Sequence, residues 1–238
     1  MKIALIGYGK MGHMIEEIAV ARGHEIVLKI NIDNTEDFNK ENTASADVAI
    51  EFTGPDSAYA NVVKCLQFGV PVVTGSTGWN ERIEEVKELC RKHSGSFLHA
   101  SNFSIGVNIF FEVNTILAQL MAGQPDYDVT MKEVHHTQKK DAPSGTAVTL
   151  AEQVLSYIKR KSSWVNHKAE SPDQLSIISE REDPAPGTHH VKYSSEVDDI
   201  EIIHTAHSRK GFALGAVLAA EHIWNKKGIF SMKDVLHF

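Results

Sequence analysis

The sequence predicts an α/β fold with two units: a parallel, doubly wound sheet at the N-terminus and a C-terminal α+β unit with a mixed sheet. In the first hundred residues, short apolar runs alternate with stretches of helical period, which is typical of a parallel sheet. Beyond residue 105 the strands are joined by short loops instead. We expect residues 1–104, completed by 212–238, to form the first unit and 105–211 the second.

The alternating pattern fixes the expected elements of the first unit. Strands are predicted at 3–6, 25–30, 47–52, 70–73 and 96–99, and helices at 11–21, 58–68 and 81–93.

The second unit is expected to begin with a helix at 105–121. Next come a strand at 128–134, a polar loop at 135–143, a helix at 145–161, an exposed connection at 162–173, and strands at 175–180, 189–194 and 199–206. A helix at 212–224 and a short tail are expected to return to the first unit.

Composition narrows the class of protein. A formal net charge of −7 repels phosphate backbones, so we expect no nucleic-acid partner. The apolar run at 3–6 is too short for a signal segment or a membrane span. Cys65 and Cys90 fall in expected helices without metal-ligand spacing, which predicts no metal and a reducing cytoplasm.

A glycine-rich turn follows the first strand and precedes the first helix. This is the setting that the G-x-G-x-x-G signature of dinucleotide-binding Rossmann units requires. Gly7 allows the tight turn, Gly9 the approach of a pyrophosphate, and Gly12 close packing of helix on strand. We expect the whole turn to contact NADH or NADPH, through Gly7, Tyr8, Gly9, Lys10, Met11 and Gly12.

Cofactor preference depends on charge near the second strand. Asp33 lies about twenty residues beyond the turn and is expected to bind the ribose hydroxyls, which favours NADH. Lys10 could offset the repulsion between Asp33 and a 2′-phosphate, or it could be a solvated surface lysine. Use of both cofactors therefore stays open.

Two other segments end strands of the same sheet, where parallel sheets bind ligands. They run from Glu51 to Pro55 and from Thr74 to Gly78. The predicted cofactor contacts there are Phe52, Thr53, Gly75, Ser76 and Thr77. The second segment could equally be an ordinary turn.

The stretch from His135 to Ala147 is the most informative. Ser144 is a predicted N-cap, so the N–H groups of Gly145 and Thr146 stand at the positive end of a helix, where a carboxylate would bind. Two histidines and two lysines lie just upstream and can supply a proton to a reaction. The alternative is a solvated basic loop before an ordinarily capped helix.

Five ordered motifs together resemble the dihydrodipicolinate reductase family, also called 4-hydroxy-tetrahydrodipicolinate reductase, of lysine and diaminopimelate biosynthesis. They are Gly7-x-Gly9-x-Met11-Gly12, Glu51-Phe52-Thr53, Thr74-Gly75-Ser76-Thr77-Gly78, Ser101-Asn102-Phe103-Ser104-Ile105-Gly106-Val107-Asn108 and His135-His136-x-x-Lys139-x-Asp141-Ala142-Pro143-Ser144-Gly145-Thr146-Ala147. The resemblance runs nearly end to end.

The resemblance implies the chemistry. NAD(P)H would deliver hydride to the ring of a small dicarboxylate substrate, with Lys139 as proton donor and His135 assisting catalysis or stabilising charge. His136 and the turn formed by Ser144, Gly145 and Thr146 would bind a substrate carboxylate. It also implies a homotetramer built by the mixed sheet, and nicotinamide contacts from Ala100, Ser101, Asn102 and Phe103.

Some residues depart from the family or have no assigned role. Arg181-Glu182-Asp183-Pro184 replaces a commoner glycine-containing turn, and Glu51 stands where aspartate is frequent. Glu133 and His204 have no role from sequence. Arg209 either reaches substrate or caps the following helix.

Two other functions are open. Another amino-acid-pathway dehydrogenase is one, although an aspartate-semialdehyde dehydrogenase needs a nucleophilic cysteine, which neither cysteine context provides. A dinucleotide-sensing regulatory protein would keep the glycine turn but has no need of the His-His-x-x-Lys loop.

Overall fold

A computed structural model describes all residues, 1–238, and divides the chain into two compact units. The first comprises Met1–Ile105 together with Lys210–Phe238, and the second comprises Gly106–Arg209. The N-terminal elements are β1 Lys2–Ile6, α1 Lys10–Ala21, β2 Glu25–Ile30, α2 Lys40–Thr43, β3 Val48–Glu51, α3 Pro55–Phe68, β4 Val72–Thr74, α4 Ile83–Lys92 and β5 Ser96–His99.

The remaining elements follow in chain order. They are α5 Ile105–Met121, β6 Asp128–His135, α6 Gly145–Tyr157, β7 Ser163–Val165, β8 Gln174–Arg181, β9 Gly187–Ser194, β10 Asp199–Ala206, α7 Lys210–Ile223, β11 Gly228–Phe230 and α8 Met232–Leu236.

The first unit contains a six-stranded parallel sheet in the order β11-β5-β4-β3-β1-β2. Its central strands are buried on both faces, which explains why β1 is a continuous apolar run. Helices α1 and α7 cover one face and α3 and α4 the other. Helix α7 approaches closely because position 215 is glycine: a Cβ there would lie 1.7 Å from the Phe103 carbonyl oxygen.

The second unit contains a five-stranded mixed sheet in the order β10-β9-β6-β8-β7. Strand β6 is antiparallel to β9 and parallel to β8. Alternate residues of β6 are buried against α5 and α6, and this inward row includes Val129, Met131, Glu133 and His135. The predicted α/β class, with a parallel sheet followed by a mixed sheet, is confirmed.

Four short elements depart from the sequence expectations, and one of them is α2, Lys40–Thr43, between the expected strands at 25–30 and 47–52. Strand β7 lies within the expected 162–173 connection, and β11 and α8 lie within the expected tail. Strand β7 pairs with β8, and β11 pairs with β5. Three-residue strands carry no periodicity, so only their neighbours determine them.

Buried Lys161 anchors the segment that leads into β7. Its ammonium pairs with Asp128 at 2.7 Å and donates to the carbonyl oxygens of Pro172 and Gln174. The helix predicted to reach residue 161 ends at Tyr157, so Lys161 belongs to this anchored segment. None of the helices is long and apolar enough to cross a bilayer.

Candidate active site

A cleft of about 480 Å³ lies beside the glycine turn of the first unit. Its lining residues come from the turn, the end of β2, the 3-10 turn that follows β2, the β3–α3 loop and α3: Gly7, Tyr8, Gly9, Ile30, Asn31, Ile32, Thr35, Phe38, Phe52, Thr53, Gly54, Ser57, Asn61 and Lys64. This is the carboxyl edge of a parallel sheet, where such folds bind nucleotides.

The glycine turn fits a dinucleotide for steric reasons. Gly7 has a φ of 98°, and a Cβ on it would lie 2.1 Å from the Phe52 carbonyl oxygen. A Cβ on Gly12 would lie 2.5 Å from the Gly7 oxygen, so Gly12 permits the helix to pack on the turn. Gly9 caps α1 and has no atom within 4 Å of its Cβ position. The helix N-terminus is therefore open to a pyrophosphate.

The residues predicted to set cofactor preference are not in the cleft. Strand β2 ends at Ile30, and a 3-10 helix, Ile32–Asp37, follows with Asn31 as its cap. This turn leaves Asp33 exposed and puts Asn31 at the cleft wall. Lys10 is also exposed and absent from the wall. Asn31, at the end of the strand, lines the cleft and Asp33 does not, so Asn31 is a second candidate for the ribose contact, and the contact from Asp33 stays a prediction.

The cleft wall from β3 is shaped by a buried carboxylate. Glu51 accepts hydrogen bonds from the hydroxyls of Thr53, Thr74 and Ser76 and from the Thr53 N–H at 2.9 Å. The Ser76 hydroxyl is thereby engaged within the protein. A Cβ at position 75 would lie 2.2 Å from the Phe52 ring. Glycine at this position therefore leaves the space that the ring occupies.

The other predicted cofactor contacts have different surroundings. Thr77 and Ser101 are exposed, and Met11 and Ala100 pack on the core of the first unit. Phe103 is a buried core residue whose ring centroid lies 5.7 Å from that of Phe52. Asn102 accepts a hydrogen bond from the Ser104 N–H at 2.9 Å. None of these residues lines the cleft.

The second unit brings the cationic loop and the start of α6 together. Ser144 caps α6, with its hydroxyl accepting from the Ala147 N–H at 3.2 Å. No atom lies within 4 Å of the Cβ position of Gly145, so this helix N-terminus is open to a carboxylate. Thr146 and His136 are half-buried in the same loop region.

The Lys139 ammonium is held by Asp141. Its Nζ lies 2.8 Å from both carboxylate oxygens, and its side chain is 23% exposed. Burial acts to raise the pKa of Asp141, but hydrogen bonds, chiefly from Lys139, outweigh it and lower the pKa. Arg181 braces the loop by donating to the carbonyl oxygens of Lys139 at 3.3 Å and Asp141 at 2.7 Å.

Glu133 is a fully buried carboxylate behind this loop. Both its oxygens accept from the Ser144 N–H, at 3.0 and 3.1 Å, and Oε1 accepts from the Ser179 hydroxyl at 2.7 Å. Burial alone would raise its pKa, but hydrogen bonds from His189, Ser144 and Ser179 lower the pKa of Glu133 to about 2. The sequence signal for this residue was a charged side chain at an inward-facing position of β6. Its partners could not be predicted, because Ser179 and His189 are distant in the chain.

His135 ends β6 and is buried beside Glu133. Burial, together with the nearby charges of Lys139 and Arg181, lowers the pKa of His135 to about 4, despite the opposing effect of Glu133. The imidazole is therefore neutral near pH 7. Its neighbour His189 was missed by sequence reasoning; the His189 Nε2 lies 3.1 Å from the Ser144 hydroxyl.

Donor atoms of Glu133, His135 and His189 lie within 4.8 Å of one another, a spacing that a metal ion could span. Other contacts favour a hydrogen-bond network. The carboxylate already accepts from Ser144 and Ser179, and the Arg181 guanidinium lies 3.9 Å from it.

Neither cysteine is suited to covalent catalysis. Cys65 and Cys90 are both free and buried. Burial raises the pKa of both thiols, which suppresses the nucleophilic thiolate. The aspartate-semialdehyde dehydrogenase alternative therefore lacks its nucleophile.

A nucleotide cleft at a Rossmann turn and a cationic loop beside an open helix N-terminus define a class: two-unit oxidoreductases dependent on a nicotinamide dinucleotide. Matches to two family models narrow this class to a single family. The model for the dihydrodipicolinate reductase N-terminus matches residues 1–103, and that for the C-terminus matches residues 106–236. The chain belongs to the dihydrodipicolinate reductase family, which confirms the resemblance.

The individual relatives of this chain carry names that agree with this family. A 4-hydroxy-tetrahydrodipicolinate reductase of Christiangramia forsetii is 50% identical over 99% of this chain and 98% of its own. One from Methanosarcina mazei is 34% identical over 98% of this chain and 88% of its own. A dipicolinate-bound dihydrodipicolinate reductase from Paenisporosarcina sp. TG-14 shares the fold, with a TM-score of 0.80, 22% identity and 98% of each chain covered.

Proposed function

We propose that this protein is an NAD(P)H-dependent reductase that converts 4-hydroxy-tetrahydrodipicolinate to tetrahydrodipicolinate in lysine and diaminopimelate biosynthesis. The observation that carries the proposal is the Lys139, His135 and Ser144 arrangement in a chain 50% identical to a reductase of that name. A dinucleotide sensor would not need a held ammonium beside an open helix N-terminus.

The first unit binds the cofactor. The N–H groups at the start of α1 bind the pyrophosphate, and Gly7 and Gly9 allow its approach. Asn31 and Thr35 offer uncharged polar groups toward the adenosine ribose. When bound, NADH or NADPH supplies the hydride.

The second unit binds and protonates the substrate. The N-terminus of α6, at Gly145 and Thr146, binds one carboxylate of the dicarboxylate substrate, and His136 borders it. Lys139 donates the proton that balances hydride addition, and Asp141 orients its ammonium. His135 is neutral near pH 7 and so accepts or donates a hydrogen bond to the substrate as an imidazole.

Self-association and location complete the proposal. One face of the mixed sheet carries the exposed apolar side chains Ile178 and Ile203, which suits burial against further copies in a homotetramer. Analytical ultracentrifugation should find four chains in the particle, and a monomer would contradict the assembly.

The two cysteines are free, which fits a protein of the reducing cytoplasm.

The test of activity is direct. Mixing pyruvate, aspartate semialdehyde and their condensing enzyme generates the cyclised substrate, and adding this protein should then consume NADH, followed as loss of its absorbance. The control omits aspartate semialdehyde. A steady absorbance with folded protein, in the presence of either NADH or NADPH, would refute the proposal.

A further inference from the structure

A single carboxylate oxygen of Glu133 lies near two imidazole rings. Its Oε2 lies 3.5 Å from His135 Nδ1 and 3.6 Å from His189 Nε2. The carboxylate is wholly buried, and His135 is 6% exposed. His135 Nδ1 is itself buried without a hydrogen-bond partner, and Glu133 is the acceptor that faces it. A buried N–H left unsatisfied is unfavourable, which favours a proton on Nδ1 directed toward this carboxylate.

The opposite edge of the His135 ring is kept open by a glycine. A Cβ on Gly187 would lie 3.1 Å from His135 Nε2 and 3.2 Å from its Cδ2. Any other residue at position 187 would press against the ring edge that carries Nε2. The two ring nitrogens therefore have different surroundings: Nδ1 faces a buried carboxylate, and Nε2 faces space left by an absent side chain.

From this asymmetry we infer that Glu133 is a positioning residue that holds His135 as the Nδ1–H tautomer, so that Nε2 presents its lone pair to the substrate. The inference deepens the proposed function and rests on it for the role of His135. An Nε2 lone pair accepts a proton or a hydrogen bond from the substrate, whereas the other tautomer would donate there.

The carboxylate cannot easily turn away because Oε1 is anchored. Oε1 accepts from the Ser179 hydroxyl at 2.7 Å and from the Ser144 N–H at 3.0 Å. The Ser144 N–H can only donate, and the Arg181 guanidinium, which also only donates, lies 3.9 Å from Oε1. A glutamine at position 133 would therefore put its amide oxygen at Oε1. Its amide NH₂ would then occupy the place of Oε2 and donate to His135 Nδ1. Glu133→Gln therefore reverses the tautomer without changing side-chain size.

The tautomer itself is the primary measurement. Two-dimensional ¹H–¹⁵N spectra of the ¹⁵N-histidine-labelled full chain report which nitrogen is protonated, and His135 is assigned by the signal lost in His135→Gln. We expect Nδ1–H in the unsubstituted protein near pH 7. An Nε2–H tautomer there would overturn the inference, and no Glu133 variant is needed to reach that result.

Two variants then separate positioning from simple support. Glu133→Gln should show the Nε2–H tautomer and a fall in kcat of about a hundredfold, with the substrate KM changed by less than about threefold. Ser179→Ala is the matched control: it removes one hydrogen bond to Oε1 but leaves Oε2 in place. It should keep the Nδ1–H tautomer and a kcat within about twofold of normal.

Other outcomes overturn the inference. These are an unchanged tautomer or an unchanged kcat in folded Glu133→Gln, or a Ser179→Ala variant equally impaired in kcat. If Glu133→Gln does not fold, the spectrum of the unsubstituted protein decides. Because the tautomer is read without turnover, failure to reduce the cyclised substrate would count against the proposed function and would leave the tautomer result readable.

Discussion

The ammonium of Lys139 lies 2.8 Å from both carboxylate oxygens of Asp141, two residues further along the same loop. The ion pair holds the ammonium within the loop that leads into α6, at whose N-terminus we propose that the substrate carboxylate binds. The lysine side chain is 23% exposed and the aspartate side chain 58%, so solvent weakens the pair and its main effect is to orient the ammonium.

Lys139→Ala should lower kcat by about 10²- to 10⁴-fold, because the proton donor is lost. Affinity for NADH should stay normal, since the cleft that binds it is built from other residues. Steady-state kinetics and NADH fluorescence titration measure the two quantities. Lys140→Ala is the control, an exposed lysine next in sequence. Equal losses in the two variants would remove Lys139 from the donor role.

Asn31→Asp should weaken NADPH binding by about tenfold while sparing NADH, because a carboxylate at the cleft wall would repel the 2′-phosphate. Dissociation constants for the two cofactors test this. Asp33→Ala is the matched control and should leave their ratio unchanged, since Asp33 lies outside the cleft. A shift in Asp33→Ala alone would restore the sequence-based assignment.

Folding stability should fall on acidification because of His135. Its folded pKa of about 4 lies below the ordinary value of 6.5, so between these values the unfolded chain binds more protons. The group destabilises the fold by up to about 1.4 kcal/mol per pH unit as pH falls through that interval. Glu133, whose pKa is lowered from 4.5 to about 2, contributes stability that is lost as pH falls through that interval.

Urea unfolding of the unsubstituted protein and of His135→Asn measures this effect. The difference in unfolding free energy between them should change from pH 6.5 to 4 and stay constant from pH 7.5 to 8.5. A difference that is flat throughout would show that His135 titrates normally.

Ser144→Ala should destabilise the protein by about 1 kcal/mol through loss of the helix cap. It also leaves His189 Nε2 without its hydroxyl partner at 3.1 Å. Ser156→Ala, on the exposed side of α6, is the control, because its hydroxyl only donates to the Glu152 carbonyl oxygen. Thermal unfolding compares them, and equal melting temperatures would contradict a capping role.

Local sequence determined much of the fold. The apolar run of β1 and the turn from Gly7 to Gly12 predict their own structures, because strand burial and glycine sterics act over a few residues. The capped helix after the loop from His135 to Ser144 was also predictable, because an N-cap residue and its helix are adjacent in the chain.

Tertiary structure decided which side chains meet. Glu133 contacts Ser179 and His189 because β6 lies between β8 and β9, and it contacts Ser144 because the start of α6 packs against β6. Asn31 rather than Asp33 reached the cleft because β2 ends at Ile30 and a 3-10 turn intervenes. Sequence periodicity specifies the face of a strand, but strand order and turn geometry depend on contacts distant in the chain, so only the folded structure specifies these neighbours.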